Sequence, residues 1–176
     1  MRTALALTFA VAALAVAAPA AAYVVGGYAW PGMTIRYHTS ARAYATAVRR
    51  AARNWNRAHV GVRFVESSLA SADVVVIYGV ARCGGRTPMG YGGPFESTYM
   101  RLGAGCSTGL ITLTATHELG HVLGLDHETR RCARMNPSFS TDGTPGRCAH
   151  HPLAWWLAHA LEPDHIRGAK AIYRAG

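Results

Sequence analysis

The chain reads as an α+β domain, and three stretches predict it. Met33, Ile35 and Tyr37 alternate with Thr34, Arg36 and His38, the period of a half-buried strand. Ala45, Val48, Ala52 and Trp55 follow at spacings of three and four, the apolar stripe of a helix. The run from Asp73 to Tyr78, DVVVIY, is almost wholly apolar, as expected of a strand covered on both faces. Strand, helix, strand and strand in that order predict a mixed sheet with a crossover helix.

Each element has its own local reason. Residues 1–22 carry basic Arg2, an apolar run and an Ala-Ala-Ala end, the layout of a secretory signal peptide cut after Ala22, leaving residues 23–176 as one mature catalytic domain. The apolar part, Ala4 to Ala18, is short and alanine-rich for a membrane anchor, which needs about 20 residues. Ser40 offers an N-cap for a helix running to about His59, on whose stripe Trp55 is core. Val62 to Val65 reads as a second strand. Residues 79–98 are rich in glycine and proline and read as a long loop, followed by a short strand at Tyr99 to Leu102. Ser107 or Thr108 caps the next helix, which reaches about Leu123 with Leu119, Val122 and Leu123 turned toward the sheet. The chain is then irregular to about Pro152. Leu153 to Leu161, with Trp155 and Trp156, is a helix or a hydrophobic flap. Asp164 precedes Ile166, Ala169, Ile172 and Tyr173, a final amphipathic helix. There is no internal repeat and no second domain.

The formal charge is +9, nearly all of it arginine, since Lys170 is the only lysine. A basic surface favours acidic substrates or anionic cell-envelope polymers. Arg49, Arg53 and Arg57 fall on one helical face, as a solvated face would, and no nucleic-acid motif accompanies them, so nucleic acid is excluded as a partner. The four cysteines, Cys83, Cys106, Cys132 and Cys148, match no thiolate–zinc spacing and in an exported chain read as two disulfides. Three connectivities are possible; Cys83–Cys106 and Cys132–Cys148 are favoured as the nearest in sequence.

The stretch HELGHVLGLDH, residues 117–127, carries the chemistry. His117 and His121 lie four apart on a helix and project from one face, close enough to share a metal ion. His127 joins them only if the chain turns back, and Gly124 is where positive φ is tolerated. Zinc takes imidazole nitrogens at about 2.0–2.1 Å, with three protein ligands and one open position when catalytic. Glu118 has no structural reason to follow the first of these histidines, whereas an acid beside a metal is what a general base needs. A bare HExxH arises by accident in helices; Gly124 and His127 at their offsets remove most such matches. His38, His59, His150, His151, His159 and His165 have no ligand spacing beyond one adjacent pair, and read as ordinary surface residues.

Written HExxHxxGxxH, residues 117–127 resemble the signature of the metzincin metalloendopeptidases. Met135, eight residues past His127, stands where that family carries a methionine turn beneath the metal. The similarity is closest to the matrixin branch, and it returns near the C-terminus in LEPDHIRGAKAIYRA. The resemblance implies a zincin fold: a twisted mixed sheet with two long helices, a cleft with the metal at its base, and a small C-terminal part ending in a helix. It implies a secreted, monomeric zinc endopeptidase of bacterial type acting on protein or peptide. His117, His121 and His127 would hold one Zn2+, Glu118 would take a proton from zinc-activated water and return it to the leaving amine, and Met135 would form the floor. An edge strand near Tyr99 would either pair with extended substrate or be an ordinary edge. Asn136 to Phe139 would wall the pocket after the scissile bond, shaped by Trp155 and Trp156.

Some positions depart from particular branches. Pro137 stands where serralysins and astacins have a tyrosine. Glu128 follows the third histidine, as glutamate does in astacins, where matrixins have a small hydroxyl residue. Asp126 is one residue early for the third ligand of snapalysin-like enzymes. Residues 79–110 contain neither histidine nor aspartate, so a second zinc is not expected and calcium is doubtful. Arg82-Cys83-Gly84 superficially resembles the cysteine switch of matrixin propeptides, but that motif precedes the catalytic domain and this one follows a core strand. The same chemistry would also serve cell-envelope peptides; against a non-catalytic zinc-binding protein stands Glu118, which such a protein does not need.

Overall fold

The computed structural model describes residues 23–80, 82–94, 97–130, 132–138 and 151–174. The signal-peptide reading of residues 1–22 and the expectations for Phe139, Cys148 and His150 lie outside them. In chain order the strands are β1 (Val24–Val25), β2 (Thr34–Thr39), β3 (Arg63–Glu66), β4 (Val74–Val80), β5 (Gly85–Arg86), β6 (Thr98–Gly103) and β7 (Leu125–Asp126). The helices are α1 (Ala45–Arg57), α2 (Thr108–Val122), α3 (Leu153–Ala158) and α4 (Pro163–Tyr173). The fold is α+β with a mixed sheet, consistent with a zincin: β3-β2-β4-β6-β5, parallel except for β5, which runs antiparallel to β6. A separate two-stranded ladder joins β1 to β7.

Alternation does its predicted work in β2, where Ile35 and Tyr37 are buried and Arg36 faces solvent. Val74, Val75 and Val76 are buried on both faces of β4, and only beyond them does the strand become accessible. α1 lays Val48, Ala51, Ala52 and Trp55 on the sheet, while Arg49, Arg53 and Arg57 are exposed. Ser40 does not cap this helix. Its N–H and that of Ala41 are committed to the Val76 carbonyl (2.9 and 3.2 Å), so the chain stays with the sheet, makes a short 3₁₀ turn at Arg42–Tyr44 and starts α1 at Ala45.

Ser107 does cap α2, accepting from the Leu110 N–H at 3.3 Å. This helix is buried from Ile111 through Val122, polar residues included, as expected of a helix packed on every side. Trp55 and Trp30 donate their indole N–H groups to its Thr116 and Val122 carbonyls (2.9 and 2.7 Å), pinning the helix from two directions. The expected edge at Tyr99 to Leu102 holds only in part: β5, a two-residue strand drawn from the glycine-rich loop, pairs with Arg101 and Leu102 and is the outermost strand on that side. Two residues are too few to carry a periodic signal. Cys83 and Cys106 form a disulfide that ties the start of β5 to the turn after β6. Cys132 is also disulfide-bonded.

Candidate metal centre and its cleft

α2 supplies His117, Glu118 and His121, and the turn after it supplies His127. Gly124 makes that turn with φ at +97°, and a side chain there would press on the Gly27 carbonyl oxygen at 3.0 Å. That carbonyl belongs to the N-terminal segment, whose Gly26 and Gly27 N–H groups bond to the Gly124 carbonyl (2.9 and 3.2 Å). The reversal is thus clamped by β1, and β7 carries the chain on to His127.

One ligating atom from each of His117, His121 and His127 lies within 4.8 Å of the other two. His117 Nδ1 bonds to the Arg134 carbonyl at 2.7 Å and His121 Nδ1 to the Leu125 carbonyl at 2.8 Å. A carbonyl can only accept, so both Nδ1 atoms carry the proton and both Nε2 atoms present a lone pair. His121 Nε2 faces His127 Nε2 at 3.2 Å. His117 is pushed down to about 3, chiefly by burial and then by the neighbouring His121; burial also lowers His121. Neutral rings are the form that binds a metal. The donor set, nitrogen-only and three in number with the outer nitrogens of His117 and His121 already fixed by carbonyls, fits zinc.

Glu118 is buried beside them. Burial pushes its carboxyl up to about 7, with the nearby Thr87 side chain acting the other way. Its Oε2 is buried and has no hydrogen-bond partner among the described residues. Met135 is fully buried against Gly120, where a methyl group would meet its sulfur at 2.5 Å. The three histidines and Glu118 open into a cleft of about 780 Å³, also lined by Gly85, Arg86, Thr87, Leu110, Leu113 and Pro137.

Other expectations fare differently. Pro137 and Ser138 do line the cleft, but Asn136 is buried and spends its side chain on the Ala133 N–H and the Glu128 carbonyl. Trp155 and Trp156 do not line it: Trp156 is buried behind α2 against Leu113, its ring under the Arg134 guanidinium. Cys83 is oxidised, which removes it as a zinc-capping thiolate.

Several residues at the site carried no sequence signal. Gly85 sits on the Glu118 carboxylate, where a methyl group would fall 2.5 Å from Oε1. Arg134 orients His117 through its carbonyl, and is itself held by Glu162, which accepts the Arg134 N–H (3.0 Å) and the Nδ1–H of buried His165 (2.7 Å). Gly120 could have been found: a glycine inside a helix costs about 1 kcal/mol against alanine, so it needs a packing reason.

Residues 25–137 match the family model for astacin (peptidase family M12A). No curated protein matches the chain. The matched span runs from β1 to Pro137 and holds all three histidines, Glu118 and Met135. Astacins are metzincins but a different branch from the matrixins, so the expected matrixin branch is corrected to astacin. Glu128 agrees with astacins, whereas Pro137 stands where they have a tyrosine.

Proposed function

The chain belongs to the astacin family of zinc metallopeptidases, and from that premise we propose that it is an exported endopeptidase in which His117, His121 and His127 hold one zinc ion and Glu118 is the general base. The observation that carries this reading is the convergence of three histidine nitrogens beside a buried carboxylate at the base of an open cleft. Zinc, when bound, supplies Lewis acidity, making water more acidic and a peptide carbonyl more electrophilic.

The chain's own groups do the rest. The Arg134 and Leu125 carbonyls hold two imidazoles in the tautomer that ligates, so no reorientation is needed when metal arrives. Glu118, buried beside the three histidines, is placed to take a proton from attacking water and pass it to the leaving amine. The β5 edge borders the cleft and supports substrate as an added strand, which brings an extended backbone past Glu118. Residues 1–22 support export, and the Cys83–Cys106 bond suits an oxidising compartment.

Glu118→Ala tests the assignment. It is expected to keep one zinc per chain and to lose peptide hydrolysis by about 10²–10⁴-fold, the range for a general base. Hydrolysis at the parent rate in a zinc-loaded Glu118→Ala protein would contradict the role.

A further inference from the structure

We propose that Arg86 and Arg101 form a subsite on the outer face of the sheet that takes an acidic side chain of the substrate, a reading that rests on the peptidase assignment above. β5 is the edge strand beside the cleft. The Gly84 carbonyl accepts the Gly103 N–H at 2.8 Å, so alternation along the strand turns the N–H and C=O of Gly85 away from β6 and toward the open edge. An extended peptide hydrogen-bonding there becomes the next strand, and the register of β5 decides where its side chains go. Gly85 pairs with buried Leu102 and lies on Glu118, so it belongs to the inner face. A substrate residue opposite Gly85 therefore directs its side chain inward. Its neighbour opposite Arg86 directs its side chain to the outer face, alongside Arg86.

That outer face holds charge which the described chain does not neutralise. Arg86 and Arg101 are directly paired across β5 and β6, where like charges are destabilising. Among the described residues neither has an ion pair, whereas Arg36, Arg49 and Arg167 take Asp73, Glu66 and Asp164. Both arginines line a hollow of about 480 Å³ with Tyr99, Met89, Thr87 and Ser97. Arg86, Thr87 and Met89 also line the cleft, so the two hollows share a wall. A carboxylate on the free side of Arg86 offsets the repulsion and completes a ladder of acid, Arg86 and Arg101 across three strands. The planar guanidinium fork suits a carboxylate acceptor. The subsite is a different wall of the cleft from Pro137 and Ser138.

The test uses zinc-loaded protein and C-terminally amidated peptides in which one Glu is walked along a fixed sequence, each matched by a Gln control. Amidation removes a terminal carboxylate as the source of any preference. Mass spectrometry locates each cut, and kcat/KM is read as a Glu-to-Gln ratio. One position is expected to favour Glu by about fivefold, what a well-placed exposed ion pair delivers. The preference should vanish in Arg86→Gln, shrink in Arg101→Gln and persist in Arg53→Gln. The dissociation constants of the same labelled peptides on Glu118→Ala, which leaves them intact, should show the same ratio. Cleavage without a Glu preference, or a preference indifferent to Arg86→Gln, overturns the subsite and leaves the peptidase reading intact. No cleavage of any peptide, with the binding ratio retained and sensitive to Arg86→Gln, overturns the peptidase reading and keeps the anion site; equal binding of Glu and Gln peptides overturns the site.

Discussion

A methyl group at Gly85 would fall 2.5 Å from the Glu118 carboxylate and 2.5 Å from its Cγ, so Glu118 has its position only because residue 85 has no side chain. Gly85→Ala is expected to keep zinc, since no ligand is touched, and to lower kcat/KM about 100-fold, the scale of a misplacement near 1 Å. Metal analysis together with peptide kinetics checks this; wild-type kinetics in the variant would show that Glu118 moves aside freely. At this scale the histidines were legible because ligation needs a residue type at a spacing, and spacing is written in the chain. Gly85 and the Arg134 carbonyl were not. One acts by having no side chain, the other through a backbone group that every residue possesses, and both reach the site from distant elements.

Among the elements, α2 is the rigid part. It is capped by Ser107, pinned by two indoles, and buried along its length. Its partner is the turn at Arg134–Met135, held from α4 by Glu162. Glu162→Ala leaves the Arg134 N–H and the His165 imidazole without their acceptor, at a cost of about 1–3 kcal/mol. The expected result is a lower midpoint of thermal unfolding and weaker zinc binding in a chelator competition, with Glu162→Gln closer to the parent. Unchanged zinc affinity in Glu162→Ala would mean that the turn keeps its shape without α4. Of the long elements, β2 and α1 were readable from periodicity, β4 from its unbroken apolar run, and α2 from its cap and the metal motif. β5 and the Ser40 region were not, because tertiary hydrogen bonding outcompeted the local signal: Ser40 serves the sheet, and β5 is a strand only because β6 pairs with it. The metal motif and the C-terminal segment read as matrixin-like, and the family match corrects the branch to astacin, because branches of one superfamily share the ligand spacing that the motif records.

For the molecule as a whole, the site depends on segments far apart in sequence being tied together. The Cys83–Cys106 bond closes a loop with a sequence separation of 23 and anchors the strand that carries Gly85 and Arg86. Removing it by a double Cys→Ser change is expected to cost about 3 kcal/mol by the chain-entropy model, read as a lower denaturation midpoint. Zinc links folding to chemistry in the same way. A ligand that binds the folded state at 1,000 times its Kd adds about 4 kcal/mol, so a chelator should lower the unfolding midpoint as it abolishes hydrolysis, and added zinc should restore both. The most direct measurement is X-ray absorption at the zinc edge of the loaded protein. It should show three imidazole nitrogens at about 2.0–2.1 Å and no sulfur. A sulfur shell near 2.3 Å, or a spectrum unchanged when His127 is replaced by alanine, would contradict the assignment of His117, His121 and His127 as the metal site.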